Sequence, residues 1–204
     1  MLAGAIIGAF TGLALTAIYY LGQAVAGLPF VPFDLFDQLV RVTPGSVVTL
    51  FIDSMVAVIL RLDLGPIADL AKLIEQSTAV ILAVIAGAVF GAILAGLRRR
   101  YLWSGPRVGV VGSLALLILI VAVESTRDVQ VNPLAAILWI AVTIVGWGAL
   151  LGMWAEKAVR GVGAPVLATE ISISRRAFLA KVAGGSLALA VASFGLGRFL
   201  EGSR

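Results

Sequence analysis

Between Leu2 and Ala26 the sequence offers no charged side chain, only Thr, Tyr, Gln and Gly among apolar residues. A helix needs about 20 such residues to cross a hydrocarbon layer roughly 30 Å thick. Four later runs fit the same pattern: about Ala79 to Leu97, Val108 to Val123, Asn132 to Trp154 and Val182 to Leu200. Val108 to Val123 is short, but Tyr101 and Trp103 precede it and suit the headgroup level. Asn132-Pro133 supplies an N-cap and a proline for the first helical position. In lipid a helix satisfies its own backbone hydrogen bonds, so these runs predict five crossings.

The stretch between the first two runs is too apolar for an ordinary loop. Within it Ser46 to Leu60 reaches only about 22 Å at 1.5 Å per residue. As a span it would place Asp53 near mid-membrane, at about 2.5 to 3.5 kcal/mol. Counting it would also reverse the sidedness of everything after it. It reads as a helix at the interface or packed back on the bundle, punctuated by Pro29, Pro32, Pro44 and Pro66. The expected fold is an all-α polytopic membrane protein with five transmembrane helices plus an interfacial or re-entrant helical segment on the outer face. Residues 1–27 hold the first helix, 28–77 the external segment and 78–154 helices two to four. A cytoplasmic loop takes 155–181 and the fifth helix 182–204.

Composition agrees: of 204 residues 61% are hydrophobic and 13% charged, and mean hydropathy is +1.10. That leaves too little polar surface to cover a water-soluble globule. Cysteine and histidine are absent, which removes disulfides, thiolate metal sites, clusters, the usual haem ligands and the commonest acid/base group. No catalytic, cofactor or metal residue is assigned in this chain. The net charge of +4 lies beside apolar spans without aromatic interleaving, so it argues for topology signals rather than nucleic acid.

Arg98, Arg99, Arg100 and Arg107 follow the second run, and Lys157, Arg160, Arg175, Arg176 and Lys181 lie between the fourth and fifth. By the positive-inside rule both loops face the cytoplasm, with the N-terminus inside and the C-terminus outside. The expected location is a bacterial cytoplasmic membrane. Glycines recur at four-residue spacing at Gly4, Gly8 and Gly12, at Gly87 and Gly91, and at Gly148 and Gly152. Such faces serve close helix packing within the chain, or alternatively a homo-oligomer.

Ser174-Arg175-Arg176-Ala177-Phe178-Leu179-Ala180-Lys181 resembles the twin-arginine translocation (Tat) signal, with the lysine one place late. The run that follows is rich in glycine and alanine, milder than the other spans. An arginine pair alone would be a cytoplasmic anchor; the serine, the Phe-Leu and the mild run make it an address. Ala188, Ala190 and Ala192 give Ala-x-Ala spacings, but inside the apolar run, so retention as a helix is expected over cleavage. Tat export moves folded domains, so an internal signal implies such a domain beyond Arg204, with the Tat translocase as a partner.

With the external "GLPFVPFDLFDQLVRVTPGSVVTLFIDSMV" and that signal, the chain resembles the N-terminal membrane region of bacterial membrane-anchored, molybdopterin-dependent oxidoreductases of the sulfite-oxidase-like class. The resemblance implies an anchor tethering an exported redox domain, with molybdopterin in a C-terminal domain missing from this chain or encoded separately. That class holds molybdenum through a cysteine thiolate, which this chain lacks, so the chain alone is not expected to be an enzyme. It is expected to be a fragment or a split gene product.

Asp53 is the one acid in a strongly apolar setting and a candidate for a proton, quinone or partner contact; otherwise it caps or breaks an interfacial helix, or pairs with Arg41 or Arg61. Asp34 and Asp37 share a helix face as a solvated edge. "GVGAP" at 161–165 lacks the spacing of a dinucleotide fingerprint. Trp139, Trp147 and Trp154 fall near one face of the fourth helix, for packing or lipid anchoring. A second function class is an accessory subunit of a respiratory or photosynthetic membrane complex. A transporter or channel ranks last, since the spans carry almost no internal charge and no inverted repeat.

Overall fold

A computed structural model of the chain describes residues 1–62, 67–101, 104–125, 132–160 and 175–202. These form seven helices: α1 (Leu2–Ala26), α2 (Val31–Val42), α3 (Gly45–Leu62), α4 (Ile67–Tyr101), α5 (Gly105–Glu124), α6 (Pro133–Arg160) and α7 (Arg175–Gly202). There is no strand among the described residues. Five segments are long and apolar enough to cross a membrane: Leu2–Ala26, Leu70–Arg98, Gly105–Glu124, Pro133–Lys157 and Ala177–Leu196. Large apolar side chains such as Ile118, Leu138, Val142 and Val191 stand exposed around the bundle, a surface that suits lipid and not water. The chain is an all-α, multi-pass membrane protein.

Local chemistry sets most helix ends. Gly27 takes a left-handed conformation with φ 65° and closes α1 through its N–H to the Gln23 carbonyl at 2.9 Å, a conformation that costs glycine little. Pro32 lies in the first turn of α2. Asn132 caps α6 as its side chain implies, Oδ1 accepting from the Leu134 N–H at 2.9 Å. α2 and α3 meet at a bend of 117°, so the segment between the first two spans begins as a broken helical pair. α4 departs from expectation by starting about three turns before Ala79. No proline or glycine interrupts Ile67 to Gly87, and the helix runs continuously through the charged Lys72 and Glu75, which the hydropathy pattern places in a separate helical segment.

Two antiparallel pairs make the frame. Gly4 faces Gly91 and Gly8 faces Gly87 across α1 and α4, while Gly105 faces Gly152 and Gly109 faces Gly148 across α5 and α6. A Cβ placed on Gly8 would collide with the Gly87 carbonyl oxygen, and one on Gly109 with that of Gly148. The backbones touch there, an approach that only glycine allows. The four-residue glycine spacing therefore serves packing inside one chain. α1 is also the seat of α7, which runs parallel to it: Phe178 and Val182 join Ala3 and Ile7 in one cluster, and the Phe194 ring lies 5.0 Å from that of Tyr20. The starts of α1, α5 and α7 and the ends of α4 and α6 thus share one end of the bundle, as five alternating crossings require.

Candidate functional site: the start of the last helix

α7 opens at Arg175, so the arginine pair occupies its first turn, ahead of the apolar window from Ala177 to Leu196. Ser174 lies outside the described residues, as do the 161–165 segment and the rest of the 161–174 connection. Phe178 and Leu179 are half-buried against the cluster of Ala3, Ile7, Trp147, Leu151 and Val182, alongside Trp154. Lys181 is exposed. The helix runs unbroken through Ala188, Ala190 and Ala192.

α7 packs closely along α1 with Val182, Ser186, Ala190 and Ser193 buried, but its described glycines stay out of that contact. A Cβ on Gly184, Gly185 or Gly195 would meet nothing within 4 Å. A cavity of about 310 Å³ remains between α1, α6 and α7, lined in part by Thr11, Trp147, Trp154, Gly185 and Ser186. Glycine here dilutes hydrophobicity instead of admitting a neighbour.

The topology arginines divide. Arg98 turns inward: its Nη2 lies 3.6 Å from Glu156 Oε1, and its Nη1 donates to the Ala155 carbonyl at 3.4 Å. Glu156 Oε2 accepts the Gly105 N–H at 2.7 Å. One carboxylate thus joins the last turn of α4, the first turn of α5 and α6, and it complements the positive end of α5. Gly105 is required there, since a Cβ would stand 2.7 Å from both Cβ and Oε2 of Glu156. Arg100 and Arg107 are exposed, and Arg99 lies in the same turn of α4. Sequence reasoning missed Glu156, which reads as the polar fringe of a span. Its burial at 9% exposure is visible only once α4, α5 and α6 are assembled.

Asp53 sits on the exposed side of α3, inside the helix, which it neither caps nor breaks. It makes no ion pair among the described residues; Arg41 pairs instead with Asp37, at 3.1 Å. Nothing brings Asp53 to the start of α7. At the opposite end of the bundle from Arg98, the buried Tyr19 hydroxyl lies 2.8 Å from Thr143 Oγ1, which itself donates to the Trp139 carbonyl at 2.7 Å. Trp139 packs edge-on against Tyr19 with centroids 6.1 Å apart, and Trp147 stacks on Phe90 at 5.2 Å. The tryptophans are packing residues. Among the described residues no group of His, Cys, Asp and Glu could hold a metal ion.

No family model matches the chain, and neither does any curated protein or solved structure.

Proposed function

We propose that this chain is a membrane anchor whose α7 carries an internal Tat signal, tethering a folded, molybdopterin-type oxidoreductase domain outside a bacterial cytoplasmic membrane. The single observation that carries the reading is the union of motif and seat. Arg175-Arg176-x-Phe-Leu opens α7, and among the described residues α7 is the span without a backbone-to-backbone glycine contact with a neighbour. A helix held by side chains can dock late. That matters because Phe178 and Leu179 face the bundle in the docked state, so the translocase must read them before α7 settles on α1. The glycine pairs close α1 on α4 and α5 on α6 without α7, leaving it to follow by a separate route. N-terminus inside and C-terminus outside is the matching orientation, supported by Arg98, Arg100 and Arg107 at the same end of the bundle as Arg175.

The test is a reporter fused beyond Arg204 in a chain carrying R175K and R176K. Charge is kept, so a plain anchor would place the reporter outside as before; a Tat address is not read without its arginines, and the reporter should stay inside. A second reading is an accessory subunit of a larger membrane complex. It draws on α3, where Val47, Leu50, Phe51, Val58 and Leu60 are all more than half exposed or nearly so, more than one lipid-facing stripe needs. Co-purification of other membrane subunits with the wild-type chain, unaffected by the arginine changes, would favour it.

A further inference from the structure

Each glycine-closed pair is tight, but the pairs meet each other sparsely, and between them lies a second cavity of about 290 Å³. α2 roofs it through Val31, Pro32 and Leu35, and Phe90 stacked on Trp147 forms its far wall. Along α4 its lining runs from Ala83 to Ile93, about 15 Å at 1.5 Å per residue. The mean cross-section is therefore about 19 Å², the width of one unbranched hydrocarbon chain.

Of the side-chain polar groups in the lining, the hydroxyls are engaged and the buried Trp147 Nε1–H is without an acceptor. Thr16 donates to the Gly12 carbonyl at 2.9 Å, and Tyr19 is bonded to Thr143. Apart from an acceptor on that single N–H, a polar group placed inside would be left unsatisfied at a cost of several kcal/mol. The occupant is therefore a tail, with its polar head elsewhere.

The position of the head follows from α4. Val89 and Ile93 line the cavity yet are half exposed, so the crevice opens sideways to lipid there. The same face continues at helical spacing through the exposed Leu97 to the exposed Arg100. Across the connection, Arg107 in the first turn of α5 is exposed as well. An apolar slot that leads along one helix face to two unengaged arginines matches an anionic phospholipid: acyl tail in the slot, phosphate at the basic rim.

We propose that the crevice between the two helix pairs binds one acyl chain of an anionic phospholipid whose phosphate rests on Arg100 and Arg107. This site is independent of the export signal. The experiment uses the whole chain in detergent, delipidated and offered phosphatidylglycerol or phosphatidylcholine with identical acyl chains, with retained lipid counted by native mass spectrometry. The wild type should keep one phosphatidylglycerol, at roughly thirtyfold preference over phosphatidylcholine, as two arginines at a membrane surface confer. Ala86→Phe, which narrows the slot from its exposed rim, should lose both lipids. R100Q/R107Q should bind the two equally. Leu116→Phe fills the slot from α5 and replaces Ala86→Phe if that variant fails to keep wild-type helicity. Undiminished phosphatidylglycerol in a folded slot-filling variant would overturn the proposal. Equal retention of both lipids by the wild type would do so too, as would displacement of phosphatidylglycerol by a prenylquinone.

Discussion

The α1–α4 and α5–α6 pairs and the α7 seat use the same residue for opposite ends. In the pairs, a Cβ on any of Gly4, Gly8, Gly87, Gly91, Gly105, Gly109 or Gly152 would strike a facing backbone oxygen. On α7, Gly184, Gly185 and Gly195 face open space. In lipid, helices associate through packing and hydrogen bonds because the solvent is as apolar as the side chains. Backbone contact makes the two pairs, and α7 meets α1 through small side chains instead. That difference supports the proposal that the fifth span is added after the other four.

The sharpest way to break this contrast is to enlarge a frame glycine. Gly8→Leu should destabilise the bundle by about 3 kcal/mol or more, because the backbone has nowhere to move, read as loss of the folded fraction on titration with denaturing detergent. An unchanged midpoint would mean that the pairs are not closed as described. Next comes the carboxylate that ties three helix ends. Glu156→Ala removes a charge-assisted hydrogen bond to Gly105 and strands the largely buried Arg98, and should cost about 2 kcal/mol. The same change in an Arg98→Ala background should cost visibly less, the signature of a shared interaction. Tyr19→Phe cuts one hydroxyl bond between α1 and α6 and should cost about 0.6 kcal/mol, the average for such bonds in membranes. Smallest of all is Gly184→Ala on α7, expected within about 0.5 kcal/mol of wild type. If it matched Gly8→Leu, the comparison between frame and seat would fail.

Much of the architecture was legible because crossing a bilayer leaves so plain a mark. α1 follows the apolar run from Leu2 to Ala26 to the residue, and Asn132-Pro133 opens α6 by its own chemistry. What escaped was whatever hydropathy does not encode. The third span was expected at Val108, which left Gly105 in a loop and hid the stripe of Gly105, Gly109 and Ser113 that seals α5 to α6. The second span was expected from about Ala79, apart from the helical segment before it, though Lys72 and Glu75 are good helix formers and nothing there breaks a helix. Glu156 looked peripheral because its partners, Arg98 and Gly105, are far away in sequence. The arginine pair was legible as a motif, but the half-burial of Phe178 and Leu179, on which the proposed order of events at α7 rests, depends on Ile7 and Leu151 coming from other helices.

The central claim, that α7 is an export address, is tested most directly by locating a reporter fused after Arg204 in cells with and without a functional Tat translocase, the first four spans being followed in parallel. Loss of outside reporter when the translocase is absent, with those spans still inserted, is the predicted result. A reporter that reaches the outside equally in both strains would contradict it and leave Arg175 and Arg176 as topology charges only.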